Sequence, residues 1–466
     1  MKIAMDKLRL IWCFFLLIAG CSSNPSGLTP QVEIPEKFFL AQDTPQNKVD
    51  IDHWWKSLKD KELNRLVQEL LSSNWRLREA QAQIKIAEAL FREAKALRFP
   101  RLDFSFSASR GRQVISFIPV KSSVSGSFSG SLLASYEVDI WGKLSHASKA
   151  SYYQLIASKE NRRALAQSLV AQLVSEYVSG VYLSCEKALL EKQLEIEKRY
   201  LKALRQRYRL GLIDPSLLEQ EERLLVNLEE EKERLEGEIT SARQKISLLL
   251  GRYPKPWPIS NNICSLELSP PPPGLPSALL KRRPDILAAE AKLLSAGEQI
   301  ASEKATLFPK ITLTAQEGRV SNALVNLLNS ENRFWELAFS LAQPIFDAGA
   351  RKARIKKAKA RLEEARAVYA QTILQAFFEV ENALMLEANW RRRLELALRR
   401  EQAACNEAQI RSLRAQLGIT SIIDYLKAQN LYLESQRKVL FTRKQLLLAR
   451  ISLYRALGGG FEFESE

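Results

Sequence analysis

The chain has 466 residues, 46% of them hydrophobic and 26% charged, with a formal net charge of +16. That apolar content supports a folded core, and no internal run reaches the roughly 18–20 apolar residues a membrane-crossing helix requires. His53 and His146 are the only histidines, which excludes histidine-rich metal sites and the HExxH metalloprotease helix. The excess of cations fits either nucleic acid or anionic lipid, and the compartment decides between them.

Residues 1–20 have the layout of a secretory signal: Lys2, Lys7 and Arg9, an apolar stretch from Leu10 to Ile18, then Ala19-Gly20 before Cys21. Leu17-Ile18-Ala19-Gly20-Cys21 resembles a bacterial lipobox. The resemblance implies that Cys21 is lipidated and becomes the first mature residue, and Ser22 after it implies sorting to the outer membrane. Removing the signal takes away three cations and Asp6, so the mature charge is +14, and nucleic acid drops out as a partner. Residues 21–50 are polar and proline-punctuated, an extended leader behind the anchor.

Residues 51–251 form a first repeat. A helical pattern over 57–98 ends at Pro100, after which Leu102, Phe104, Phe106 and Ala108 alternate with Asp103, Ser105, Ser107 and Ser109. Leu132, Ala134, Tyr136, Val138 and Ile140 alternate again, so the period of two predicts strands over about 102–118 and 127–140. Residues 143–209 then run as helix for 67 positions, about 100 Å at 1.5 Å per residue. Gly211 caps this rod and Pro215 opens a return helix over 215–250, with Leu228, Leu235, Ala242 and Leu249 every seven residues as in a coiled coil. Residues 252–276 hold eight of the eighteen prolines and read as a linker.

Residues 277–458 repeat the first unit, and 459–466 form a tail. Gly142 matches Gly349, Gly211 matches Gly418 and Leu250-Gly251 matches Leu457-Gly458, each 207 positions on. The strands recur over about 310–318 and 334–345, the rod over 351–417 and the return helix over 421–457, with Leu426, Leu433, Leu440, Leu447 and Tyr454 in heptad register. The mature chain keeps Cys21, Cys185, Cys264 and Cys405 at wide spacing and without a CxxC. No disulfide framework is expected, and Cys185 and Cys405 read as small buried apolar residues.

The fold class is thus mainly α with a transmembrane β part. Strands of about ten residues match a bilayer crossing, but four cannot close a barrel, and an open edge in lipid leaves unpaired backbone groups. Identical chains must supply the rest. Two would give eight strands and a barrel filled by side chains, whereas three would give twelve and a pore.

Gly274-Leu275-Pro276-Ser277-Ala278-Leu279-Leu280-Lys281-Arg282-Arg283-Pro284-Asp285-Ile286 resembles the crossover motif of the outer-membrane efflux factors, the TolC-like channels, and in particular their lipoprotein branch. Tyr136-Glu137-Val138-Asp139-Ile140-Trp141-Gly142-Lys143 and Gln343-Pro344-Ile345-Phe346-Asp347-Ala348-Gly349 are similar to that family's barrel-to-helix junctions. The resemblance implies a homotrimer with a twelve-stranded barrel and a long periplasmic coiled-coil tunnel. It also implies a tip opened by a periplasmic adaptor (membrane fusion) protein, beneath which an inner-membrane transporter supplies energy. On that basis Leu210, Gly211, Leu212, Leu417, Gly418 and Ile419 are the adaptor-facing tips, and Asp424 with Lys427 falls at the periplasmic gate, Lys427 standing where another aspartate is usual. Arg351, Lys352, Arg354, Lys356, Lys357, Lys359 and Arg361 form a basic run at the barrel junction that either meets anionic headgroups or lines the tunnel.

No catalytic constellation, cofactor fingerprint or metal set is present in the sequence, so a non-enzymatic passive conduit for drugs and other small molecules, in a tripartite pump of the resistance-nodulation-division type, is the leading reading. The exit duct of a type I protein secretion system is the alternative, and a coiled-coil envelope scaffold is the reading from another class. The mature chain keeps one methionine, Met385, which argues against a methionine-lined soft-metal route.

Overall fold

The computed structural model describes residues 33–40, 52–115, 121–254, 264, 266–272, 274 and 276–459. Cys21 and the signal segment lie outside them. A single 3-10 turn at Trp54–Leu58 leads into α1 (Lys61–Ser73) and α2 (Trp75–Ala96), each capped by a side chain that accepts from backbone amides: Asp60 for α1 and Asn74 for α2. Strands β1 (Arg101–Ile115) and β2 (Lys121–Glu137) follow, then the rod α3 (Lys143–Arg209) and its return α4 (Pro215–Leu249). After the linker come α5 (Pro276–Arg282), α6 (Pro284–Ala305), β3 (Lys310–Ser321), β4 (Arg333–Ala342), the second rod α7 (Ala350–Gln416) and its return α8 (Ile422–Ala456).

The four strands make one antiparallel sheet in the order β1-β2-β3-β4, and β1 and β4 are its free edges. Register explains the alternation. Leu102 pairs with Ala134, Ala134 with Ala315 and Ala315 with Leu337, so the apolar positions of all four strands share one face. On that face Leu102, Phe104, Phe106, Trp335, Leu337 and Phe339 are all exposed. The opposite face is polar and bonded across the register: Ser105 to Ser131 at 3.0 Å, Ser107 to Ser129 at 2.9 Å, and Gln316 donates to Ser131 at 3.0 Å. A sheet that is apolar outside and polar inside is the chemistry of a wall between lipid and water.

β1, expected over about 102–118, runs over Arg101–Ile115, and β2, expected over about 127–140, starts earlier at Lys121 and stops at Glu137, short of Ile140, while β4 stops at Ala342. Pro344, two residues on, has no amide to donate, which ends the ladder short of Ile345.

Along its barrel-proximal half α3 packs against α2 and α6, and along its distal half against α4 and α8. The main core gathers where these bundles meet. Trp54, Leu63, Leu66 and Leu70 pack there against Leu169, Leu173, Tyr177 and Val181 of α3, and Trp54 stacks on Tyr454 with centroids 5.2 Å apart. Tyr177 donates to the Asp60 carboxylate at 2.7 Å, which ties α1 to the rod.

The linker lies on this core. Leu266 and Leu268 are buried within it, Tyr182 donates to the Leu266 carbonyl, Arg450 to that of Leu268 and Tyr454 to that of Ser269. Cys185 and Cys264 are joined in a disulfide with Cα atoms 6.0 Å apart. This corrects the expectation that no cysteines pair. A spacing of 79 residues gives no sign of proximity, whereas a linker folded back onto α3 puts the two thiols side by side. Cys405 is half-buried and free.

Candidate functional site: the distal tip and the barrel junction

Each rod ends in a tight reversal. Gly211 (φ 69°) and Gly418 (φ 70°) occupy the left-handed region where a side chain is strained. Leu212 N–H returns to the Arg207 carbonyl, and Ile419 N–H to that of Arg414. Asp214 and Ser421 then cap α4 and α8. The geometry leaves Leu210, Leu212, Leu417 and Ile419 between 66% and 73% exposed, although each is large and apolar. The two reversals lie side by side: Arg207 donates to the Ser421 hydroxyl at 2.7 Å, and Tyr200, Leu204, Ile423 and Leu426 form a small core beneath them. All six tip residues therefore sit at one end of the molecule, on an exposed apolar surface.

Asp424 stands in the first turn of α8, where the helix dipole favours a carboxylate, and Lys427 follows one turn on. Both are exposed, and among the described residues no ion pair joins them. Lys427 borders a groove between α3, α4 and α8.

At the other end the junctions turn strand into rod through left-handed glycines, Gly142 (φ 73°) and Gly349 (φ 84°). Asp139 accepts from the amides of Leu144 and Ser145 and so caps α3, while Trp141 stacks on Phe308 at 4.7 Å and donates to the Pro309 carbonyl. Glu137 pairs with Lys143 at 2.6 Å and Lys310 at 3.1 Å. In the second copy Asp347 accepts from the amides of Gly349 and Arg351, and the Arg351 side-chain hydrogen bond holds its carboxyl below the usual carboxylate range. Arg351 also donates to the Pro344 carbonyl, so this first cation of the basic run belongs to the turn itself. Lys352, Arg354, Lys356, Lys357, Lys359 and Arg361 are exposed on α7, and none makes an ion pair among the described residues.

Two groups went unseen in the sequence. Arg283, quoted above only as part of a motif, is buried and bonds Asp285 at 2.6 Å, Glu379 at 2.9 Å and the Ala456 carbonyl, joining the start of α6 to α7 and the end of α8. Glu197 is 1% exposed and accepts a hydrogen bond from Asn430 of α8. A signal for it was present: Leu190, Leu194, Leu201 and Leu204 set a seam of three- and four-residue steps, and Glu197 falls on it.

Among the described residues no group of three or more His, Cys, Asp or Glu side chains is placed to hold a metal ion, and no helix is long and apolar enough to cross a membrane.

The family model described as "Outer membrane efflux protein" matches residues 66–252 and 275–459. The outer membrane protein OprJ of Pseudomonas aeruginosa is 32% identical over 473 residues, covering 96% of this chain and 94% of that one. The cation efflux system protein CusC of Escherichia coli is 30% identical over 467 residues, covering 98% and 100%. Among solved structures the outer-membrane channel OprN superposes with a TM-score of 0.83 at 27% identity, covering 93% of this chain and 99% of that one. The open state of the Neisseria gonorrhoeae MtrE outer membrane channel superposes at 0.82 with 26% identity, covering 93% and 97%.

Proposed function

We propose, from the premise that this chain belongs to the outer membrane efflux protein family, that three copies pool their strands into a twelve-stranded barrel and their rods into one continuous duct. The chain is the outer-membrane channel of an efflux system. The observation that carries the trimer is the open sheet: four strands with two unpaired edges and an exposed apolar face. Each unpaired group costs several kcal/mol in hydrocarbon until a neighbouring edge satisfies it, and twelve strands are the smallest multiple of four wide enough to conduct.

The tips are the docking surface of a periplasmic adaptor, which couples the duct to an inner-membrane transporter that supplies the energy. The support is the pair of adjacent reversals bearing four exposed apolar side chains. Burying one such side chain is worth about 1.5–3 kcal/mol, so Leu417→Glu or Leu210→Glu weakens adaptor capture roughly 10- to 100-fold without touching the core. Asp424 and Lys427, in three copies around the axis, form the periplasmic gate, and Cys21 carries the lipid anchor. The unpaired cations of the run from Lys352 to Arg361 face anionic headgroups of the inner leaflet or the tunnel wall, and unchanged anion preference after Lys356→Gln with Lys357→Gln would remove the tunnel role.

The cargo is drugs and other small organic molecules, and the chain performs no chemistry of its own. Complementing a strain that lacks the gene tests this. Wild type restores resistance to organic antimicrobials, whereas Leu417→Glu assembles normally and fails to restore it. Restoration by the tip variant at wild-type level would overturn the docking role.

A further inference from the structure

Thirteen positions before the first tip, Glu197 of α3 is buried with one oxygen satisfied and one not. Its Oε2 accepts from Asn430 Nδ2, while its Oε1 and the Asn430 Oδ1 are both buried without a partner. An acceptor left unmade in a buried site is a cost that an occupant donating to it relieves. Both residues line a groove of 1030 Å³ between α3, α4 and α8, and Glu219, Glu221 and Glu434 line it too. Glu434 is paired with Arg400, whereas Glu219 and Glu221 make no ion pair among the described residues.

The orphans define the occupant. Both are acceptors, so the occupant must donate hydrogen bonds, and five carboxylates (Glu197, Glu219, Glu221, Glu222 and Glu434) against two lining cations, Arg223 and Lys427, favour a positive one. A divalent metal takes six or more oxygens in a tight shell, and no three ligating side chains converge here. An alkylammonium presents three N–H donors on a compact cation and needs no shell. Because the carboxylates of α4 and α8 lie along the same groove, a second ammonium on a short alkyl chain finds a second partner.

The geometry points to a binding site for alkyl diamines and polyamines, in which one ammonium donates to Glu197 Oε1 and Asn430 Oδ1 and another pairs with Glu221. Burial, and then the charge of Glu221, push the Glu197 carboxyl up to about 7. The other titratable groups facing it are Tyr200 of α3, Glu219, Glu222 and Arg223 of α4, and Lys427 and Glu434 of α8. Binding therefore strengthens as the pH rises through 7 and Glu197 ionises.

Calorimetry of the purified full-length channel in detergent, with 1,5-diaminopentane at constant ionic strength, tests the site. Wild type binds the diamine at pH 8 at least tenfold more tightly than at pH 5.5, and tetramethylammonium, which has the charge but no N–H, does not compete. Glu197→Gln, nearly isosteric, lowers affinity at least tenfold, the loss of about one charge-assisted hydrogen bond. Should that variant fail to assemble, Glu221→Gln on the groove wall keeps the test open, because it removes the preference for the diamine over butylammonium. Equal binding by wild type and both variants, displacement by tetramethylammonium, or no binding at millimolar diamine would overturn the site.

Discussion

Removing the disulfide is the perturbation with the best-defined magnitude. Cys185 and Cys264 close a loop with a sequence separation of 79 residues, and the loop-entropy relation puts the constraint on the unfolded chain at about 4.5 kcal/mol at 25 °C. The folded chain loses less, because the linker stays pinned after the bond: Leu266 and Leu268 remain in the core, and Tyr182, Arg450 and Tyr454 still donate to its carbonyls. Cys264→Ser is therefore expected to assemble as wild type does and to melt at a lower temperature, with a deficit of at most about 4.5 kcal/mol. Reductant should lower the melting temperature of wild type toward that of the variant and leave the variant unmoved. Thiol titration of the denatured, unreduced mature chain should find Cys405 but neither Cys185 nor Cys264. If all three titrate before reduction, and wild type and Cys264→Ser melt together, the staple does not exist in the assembled protein.

Other perturbations follow from single residues. The Glu197 carboxyl is raised from 4.5 to about 7 in the folded chain, so the folded state holds its proton more tightly than the unfolded one. That stability is complete below pH 4.5 and lost as the pH rises to 7, at most roughly 3 kcal/mol and less where water enters the groove. Thermal melting should show Glu197→Gln above wild type at pH 8 and level with it at pH 4.5. Replacing Arg283 by Met strands Glu379 and Asp285 and frees the Ala456 carbonyl, a cost of about 3 kcal/mol, visible as earlier dissociation of the oligomer on heated gels. At Gly318 an added Cβ would stand 2.6 Å from Ser131 Cβ and 2.7 Å from the Gly130 carbonyl. Gly318→Val should part β2 from β3 and abolish the heat-stable oligomer, whereas Gly111→Ala, with nothing within 4 Å, should leave it intact.

The elements were legible where one local rule governed them. Proline-free runs closed by glycine predicted two rods of 67 residues, and the structure has them at Lys143–Arg209 and Ala350–Gln416, the 207-position shift kept. Alternation found all four strands because each has one face toward lipid, although it overran the last ladder at Ile345, where hydrophobicity continued but the backbone donor was missing. Contacts between distant segments were illegible. Cys185 and Cys264 meet only because the linker folds back onto α3, and no local pattern encodes that path. Arg283 could be quoted as part of a motif, yet its role depends on Glu379 and Ala456, which lie about 100 and 170 residues away and arrive only with the packing. Glu197 was readable in principle, as a carboxylate on an apolar seam, but Asn430 and the groove around it were not.

One chain's four strands cannot seal themselves and are completed by those of two neighbours. Native mass spectrometry of the channel released from detergent micelles weighs that assembly directly. A single species of three chains is the expected result, and a stable monomer or dimer that still conducts in a planar bilayer would contradict it.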